Sequence, residues 1–381
     1  MSPTQSFWNQ FPRRSTVMFL LGVFLIFSTM AFVNDMMGLG RQPTAALVLS
    51  VLILGVFPVL YAFAGFALRR KSWKAIVPIF IVHYSLMSMI AHLLPLPPRP
   101  EQMSPTEIAR LDNRLSFDGL ATIFAVWLGY GCFVYVSITE SRRYLRVRAE
   151  IELAAEIHRV LVPAIETKIG GYEFYGRSFP SGEVGGDLVD LAGSDEHWVA
   201  YVADVSGHGV APGVVTGMVK SASRMLLSSG DDAAHLLQRL NEVLYPLKKP
   251  DMFVTFCFVA RNDAGLRIGL AGHPAILHFC ARSNQIAQFE CPNMPLGIFP
   301  SGDFESSGIQ AEPGDVFALY TDGFLEQADS AGEEFGLTRL QAEFHKHAKE
   351  PLDAICRKLQ ESLARHGTQF DDQSILLIRK L

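Results

Sequence analysis

Tyr201-Val202-Ala203-Asp204-Val205-Ser206-Gly207-His208-Gly209 reads as a buried strand that ends on a carboxylate and runs into a glycine-flanked turn. A carboxylate there is costly unless something pairs with it. The construction recurs downstream, where Phe317-Ala318-Leu319-Tyr320 runs into Thr321-Asp322-Gly323. Gly185-Gly186-Asp187 and Phe370-Asp371-Asp372-Gln373 add further carboxylates beside small or polar residues. An isolated Asp beside Gly is usually a turn residue or a cap. Here the pattern repeats without a matching run of Lys or Arg, which points to a hard divalent cation held by oxygen.

The surrounding pattern sets the fold class. Strand-like runs fall at Tyr172–Phe179, Leu188–Leu191, Trp198–Val202, Met252–Val259, Leu266–Leu270, Ala275–Phe279, Val316–Tyr320 and Ile375–Ile378. Short turns such as Asn262-Asp263-Ala264-Gly265 join several of them, a hairpin signal. Helical periodicity falls at Ala211–Ser228, Ala233–Tyr245, Leu337–Ala348 and Leu352–His366. Strands that do not alternate with helices predict antiparallel sheets with helices outside, an α+β layering.

The order Gly-Gly-Asp, Asp-Val-Ser-Gly-His-Gly, Ala271-Gly272-His273-Pro274, Leu296-Gly297, Pro313-Gly314-Asp315, Tyr320-Thr321-Asp322-Gly323, Phe335-Gly336 and Asp371-Asp372 resembles the SpoIIE-like branch of the metal-dependent (PPM-type) serine/threonine phosphatases. The resemblance covers roughly Glu152 to Leu381 and includes Leu161-Val162-Pro163 ahead of the domain. It implies an α-β-β-α sandwich of two antiparallel sheets with two Mn²⁺ or Mg²⁺ ions at one edge. By that resemblance Asp204 bridges both ions. Asp187 and the Val205 carbonyl complete one site, and Asp322 with Asp371 complete the other. Asp372 is the alternative to Asp371, and the sequence does not separate them. Asp187 and Asp204 are the expected catalytic pair. The chain departs from the pattern at Leu188 and Val189, where many members carry an aromatic pair, and at Ser374, where most carry Thr. Neither change removes a carboxylate. His208 and His273 are candidate acid–base groups, although hydrogen-bonding a nearby loop is the plainer role. Gly207 and Gly209 allow a tight turn, and Pro212 fits the first turn of the next helix.

The 381 residues exceed one ordinary core, and 33 Lys and Arg against 38 Asp and Glu give a net charge of −5. A basic footprint for nucleic acid is missing, so no nucleic-acid partner is expected. Cys132, Cys257, Cys280, Cys291 and Cys356 show no CxxC spacing, which suits a reducing compartment for the C-terminal part and gives no zinc motif.

The first 140 residues hold apolar stretches near Val17–Val33, Ala45–Leu68, Ala75–Leu94 and Gly119–Ile138. Each is about long enough to cross ~30 Å of hydrocarbon. Arg13 and Arg14, then Arg69, Arg70, Lys71 and Lys74, then Arg142, Arg143, Arg146 and Arg148 mark one side. The other side carries Arg41 alone, then Arg99, Arg110 and Arg114 mixed with Glu101, Glu107, Asp112 and Asp118. The bias predicts a multi-pass protein of a bacterial cell membrane, with the lipid bilayer as a partner and both termini cytoplasmic. His83 and His92 fall in or at the end of the third stretch, where helix packing is the plainer reading.

Residues 140–163 form a Gly-free helical linker ending at Pro163, between a membrane domain (1–139) and the phosphatase domain (164–381). Its apolar steps of three and four suit homodimer pairing, though the run is short for a coiled coil. His158 reads as a surface residue rather than a kinase phosphoacceptor, because no kinase-type nucleotide box lies downstream. The expected activity is hydrolysis of phosphoserine or phosphothreonine on a small phosphorylated protein, such as an anti-sigma-factor antagonist. The competing readings are a metal-binding module that acts only by partner binding, and a transporter or channel. Buried charge pairs along the spans would favour the last, and none is legible in the sequence.

Overall fold

The computed structural model of the chain describes residues 12–68, 72–94, 104–207, 209–228, 233–263 and 265–381. Arg69, Arg70, Lys71, Arg99, Glu101 and His208 lie outside them. The chain divides into two compact units, Met1–Val147 and Arg148–Leu381.

In the first unit, four helices are long and apolar enough to cross a membrane. They are α1 (Arg13–Met37), α2 (Thr44–Leu68), α3 (Trp73–Leu93) and α4 (Pro105–Leu161), the last of which continues into the second unit. Large apolar side chains such as Val17, Phe27, Phe80, Phe124 and Trp127 face outward. Such a surface is a liability in water and needs no cover in hydrocarbon. α1 and α4 approach closely where glycines meet: a Cβ on Gly22 would lie 3.2 Å from the Gly129 carbonyl, and one on Gly129 would lie 2.8 Å from Ile26. Small residues permit that approach, and dispersion holds it. His83 sits between α2 and α3, with Nδ1 3.2 Å from the Tyr61 hydroxyl and its ring stacked on Phe57 at 4.5 Å. That is a helix-packing role.

Two expectations for this unit need correction. Glu107, Arg110, Asp112, Arg114 and Asp118 do not lie in a loop, because α4 begins at Pro105. The cause is local: Ser104 and Glu107 form a capping box. The Glu107 carboxylate accepts the Ser104 N–H at 2.8 Å, and Pro105 occupies the first helical position. Buried charge pairing is also present. Arg114 Nε donates to Asp35 Oδ2 at 3.0 Å, and Asp35 is fully buried.

The second unit is an α-β-β-α sandwich. One sheet has the strand order β1 (Ile165–Ile169), β2 (Tyr172–Phe179), β11 (Gln373–Lys380), β10 (Val316–Tyr320), β7 (Ile276–Cys280), β8 (Gln285–Phe289). The other has β3 (Asp187–Gly193), β4 (Trp198–Val205), β5 (Val254–Asn262), β6 (Gly265–Ala271), β9 (Ser306–Ile309). All pairings are antiparallel. Alternation sorts each strand's side chains between two cores. Val189, Trp198, Ala200, Val202, Cys257, Phe174, Leu376 and Ile378 pack between the sheets. Leu188, Tyr201, Ala203, Val205 and Phe256 face α5 (Val210–Ser228) and α6 (Leu236–Leu244). Leu277, Ala318, Tyr320 and Ile375 face α7 (Gly336–His347) and α8 (Leu352–His366). The buried strands therefore read as largely apolar runs, and β3 and β4 carry Asp187 and Asp204 at the end that meets the site.

Candidate metal centre

Register brings the first two carboxylates together. Asp187 opens β3 and pairs directly with Asp204 at the end of β4. Both stand at the same edge of one sheet, where directly opposed side chains lie close. Asp187 is fully buried, 1% exposed, and Oδ2 accepts from the Thr321 hydroxyl at 2.9 Å. Thr321 Oγ1 in turn accepts the Ser374 N–H at 2.9 Å. This bond ties the end of β10 to the start of β11 beneath Asp187.

Asp322 and Asp371 approach from the other sheet. Asp322 opens a short 3-10 turn (Asp322–Phe324) directly after β10. Asp371 precedes β11 and is exposed, with Oδ1 accepting only the neighbouring Asp372 N–H at 2.8 Å. Asp372 has a different task. Its Oδ2 accepts the Gly186 N–H at 2.7 Å, and its Oδ1 accepts the Ser181 N–H at 2.7 Å and the Ser181 hydroxyl at 3.0 Å. Both oxygens are thus spent on holding the loop ahead of Asp187.

Glycine is required here for space as well as for backbone freedom. A Cβ on Gly186 would lie 2.6 Å from the Val205 carbonyl oxygen and 3.5 Å from Asp204 Oδ1. Gly207 and Gly209 take φ of +101° and +92°, which L side chains rarely adopt. The chain after Asp204 therefore turns back tightly, and Pro212 falls in the first turn of α5 as expected.

The electrostatics reflect this crowding. Burial, then the Asp322, Asp371 and Asp372 charges, push the Asp204 carboxyl up to about 7. Burial and the charge of Asp204 push Asp187 well above the usual carboxylate range. Burial and Asp371 raise Asp322. Among the described residues no Lys or Arg forms an ion pair with any of these three. A nearby buried aspartate shows the contrast. Asp190, three residues along β3, accepts from Arg224 at 2.7 Å through both oxygens, from Tyr201 at 2.7 Å, and lies 3.2 Å from Lys220. Burial alone would raise Asp190, but these partners hold it below the usual range. The fold thus supplies counter-charge for a structural carboxylate and withholds it from Asp187, Asp204 and Asp322. A divalent cation fits that deficit. Among the described residues no three His, Cys, Asp or Glu side chains enclose a single point. Mg²⁺ and Mn²⁺ suit such an open edge, since Mg²⁺ retains several waters and takes only one or two carboxylates.

Two histidines need comment. His273 hydrogen-bonds the Pro274 carbonyl at 3.4 Å, and burial lowers its pKa to about 4, so the ring is neutral at ordinary pH. His158 is not a surface residue. It is 5% exposed, and its Nε2 would lie 3.4 Å from a Cβ on Gly185. Burial lowers its pKa against the opposing charge of Asp372. The last turns of α4 thus pack beside the Gly185–Asp187 loop. They enclose with α5 an apolar cavity of about 310 Å³ lined by Ile157, His158, Leu161, Val184 and Gly213. The sequence signal for His158 was its place at steps of three and four from Ile151, Ala155 and Val162, the face of the helix that is turned inward.

Residues 194–381 match the family model described as "Stage II sporulation protein E (SpoIIE)". Residues 194–381 carry a SpoIIE-type phosphatase domain. The chain is 23% identical over 270 residues to "Phosphoserine phosphatase RsbU" of Bacillus subtilis, covering 69% of this chain and 80% of that protein. It is 25% identical over 248 residues to "Phosphoserine phosphatase RsbP" of the same organism, covering 61% of this chain and 58% of that protein. Among solved structures, the SiaA PP2C domain of Pseudomonas aeruginosa superposes with a TM-score of 0.55 at 22% identity, covering 62% of this chain and 98% of that one. The RsbU and RsbW domains of a Mycobacterium tuberculosis protein superpose with a TM-score of 0.50 at 23% identity, covering 57% of this chain and 61% of that one. The SpoIIE-type domain therefore has PP2C-like fold neighbours, as its two-sheet layering requires.

Proposed function

We propose that this protein is a membrane-tethered phosphatase that removes phosphate from serine or threonine of a small regulatory protein, using two Mn²⁺ or Mg²⁺ ions. The observation that carries the reading is the facing pair Asp187, fully buried, and Asp204, half-buried, without counter-charge at the sheet edge that Asp322 and Asp371 also reach. Asp204 would contact both ions. Asp187 and the Val205 carbonyl would hold one, and Asp322 with Asp371 the other. Bound there, the ions would supply a hydroxide from water at neutral pH and offset charge on the phosphoryl group. The protein's own part is to fix oxygens in place. Thr321 aims Asp187, and Asp372 pins Gly186 so that the Val205 carbonyl and Asp204 share one small space. Asp371, with an oxygen uncommitted, is the ligand of the adjacent pair, and Asp372 is the clamp.

The phosphoserine phosphatase names of the similar B. subtilis proteins support a phosphoprotein substrate, and an anti-sigma-factor antagonist is the substrate class proposed. The four apolar helices support placement in a bacterial cell membrane, with both termini and the catalytic domain on the cytoplasmic side. Pairing of two copies through the residue 140–163 segment is part of the same reading. A module acting by partner binding alone would have no use for a complete carboxylate set.

The test is hydrolysis of p-nitrophenyl phosphate by the Arg148–Leu381 unit. Activity should require Mn²⁺ or Mg²⁺, stop in EDTA, and fall by at least ~100-fold in Asp204→Asn. Equal rates in chelator would refute the mechanism.

A further inference from the structure

Two loops of the second unit, one running into β5 (residues 245–253) and one joining β8 to β9 (residues 290–305), lie against each other. Val254 and Leu296 exchange backbone hydrogen bonds at 3.0 and 2.8 Å, and the Lys248 stem leaves no room for a Cβ on Gly297. The polar groups of these loops are turned inward. Asn241 of α6, buried, accepts the Gly297 N–H at 2.7 Å and donates to the Phe299 carbonyl at 3.1 Å. Asn293, also buried, donates to the Leu270 and Glu305 carbonyls at 2.8 Å and accepts the Glu305 N–H at 3.0 Å. The large apolar side chains are turned outward. Tyr245, Leu247, Phe253, Met294, Ile298 and Phe299 are all exposed, Leu247 by 59% and Phe299 by 54%. Backbone stapled this thoroughly holds the side chains out, and a contiguous apolar surface so held marks an interaction site.

The position of this face indicates what covers it. The Phe253 carbonyl accepts the Ser206 N–H at 3.0 Å, and the Phe253 N–H donates to the Ser206 hydroxyl at 2.9 Å. Ser206 directly follows Val205, so the face begins where the carboxylate edge ends. A specific protein contact covers about 800 Å² on each partner. A folded protein that presents a phosphorylated side chain at the edge therefore overlies the surface beside it. Met294, Pro295, Phe299 and Phe304 line a recess of about 290 Å³ within this face. Small-molecule pockets run to ~300–1,000 Å³ and offer convergent polar groups. Here the two lining asparagines have spent their amides on the loop. An apolar recess of this size suits one anchoring side chain of a protein partner.

We propose that this face docks the folded phosphoprotein substrate, with one apolar side chain of that protein seated in the recess beside Phe299. The inference rests on the phosphatase reading and adds to it a means of choosing the substrate. The carboxylate edge treats any phosphoserine alike, and the apolar face distinguishes a folded protein from a peptide that carries the same phosphate. Contacts this far from the phosphoryl group are made equally in the ground state and the transition state, so their loss appears in KM rather than kcat.

The experiment uses the full-length protein in nanodiscs with Mn²⁺. Three substrates are compared: p-nitrophenyl phosphate, an anti-sigma-factor antagonist of the same bacterium phosphorylated on serine, and the phosphoserine peptide excised from that antagonist. The parent should favour the folded antagonist over the peptide by ~10-fold or more in kcat/KM. Met294→Ser, and Ile298→Ser combined with Phe299→Ser, should raise KM for the antagonist by ~10-fold or more. Their kcat on the antagonist, and their rates on the peptide and on p-nitrophenyl phosphate, should match the parent, which also reports that they fold. A parent inert toward all three substrates would refute the phosphatase reading and this inference with it. The inference alone is overturned if the parent does not prefer the folded antagonist, if the variants hydrolyse it as the parent does, or if they lose p-nitrophenyl phosphate hydrolysis in step. Variants that turn a dimer into a monomer at an unchanged antagonist rate would assign the face to a second copy and overturn it equally.

Discussion

At the scale of single residues, the buried carboxylates make opposite demands on the solution. Asp204 titrates near 3.8 in an unfolded chain and at about 7 in the folded domain. Between those values the folded state binds more protons, so stability falls as pH rises through the window. In EDTA, Asp204→Asn should match the parent only below the unfolded value of 3.8, and melt higher by roughly 5–10 °C at pH 8. Adding Mn²⁺ at pH 8 should reverse the order, because the metal would stabilise only the intact carboxylate. A melting difference that does not change with pH would contradict the assignment. Asp371 and Asp372 separate in the same spirit. Asp371→Asn should abolish metal-dependent hydrolysis with little change in melting temperature. Asp372→Asn should lower stability by about 1–3 kcal/mol, because Gly186 and Ser181 lose a charged acceptor. Thermal melts and rates of the two variants, taken together, test this. The sequence placed both aspartates at the site but could not rank them. The distinction rests on backbone N–H groups nearly two hundred positions upstream, which no local spacing encodes.

At the scale of elements, legibility tracked burial. β2, β10 and α8 fall where the apolar pattern placed them, because each is packed on a full face. β1, β8 and β9 were not anticipated. They are sheet edges, largely open to solvent, and hydrogen-bond to one neighbour only, so no alternation marks them. The start of α4 was hidden by its charges, although Ser104-Pro105-Thr106-Glu107 carried the capping signal. The same helix runs without interruption from Pro105 to Leu161, across the boundary between the two units. Its phase should therefore matter to activity. Inserting one to three alanines after Arg148 rotates the downstream part of the chain by about 100° per residue, and seven nearly restore it. Phosphatase activity of the membrane-embedded protein should rise and fall across that series. The Arg148–Leu381 unit alone, carrying the same insertions, should show no such periodicity. A flat profile in membranes would leave the first unit as an anchor without influence.

At the scale of the whole molecule, the charge asymmetry of the connecting segments leads to one topology. Reporter fusions after Lys71 and after Leu145 should read cytoplasmic, and a fusion after Pro100 should read external. A cytoplasmic signal at Pro100 would require a different number of crossings. The way information would then reach the metal edge is suggested by one side chain. Lys220 on α5 donates to the Leu161 carbonyl at the end of α4, and the same ammonium lies 3.2 Å from Asp190 on β3. Asp190 is locked in turn to Arg224 and Tyr201, and Asp187 lies three positions up the same strand. Mechanically, this is a rod whose end packs on α5 and is pinned by one ammonium to the strand that carries Asp187. Pull on the rod cannot be absorbed by slack in a flexible tether, because the pin grips peptide carbonyl at one end and a buried carboxylate at the other. Displacement of the rod would reach β3 through that ammonium contact and through the packing of α4 on α5.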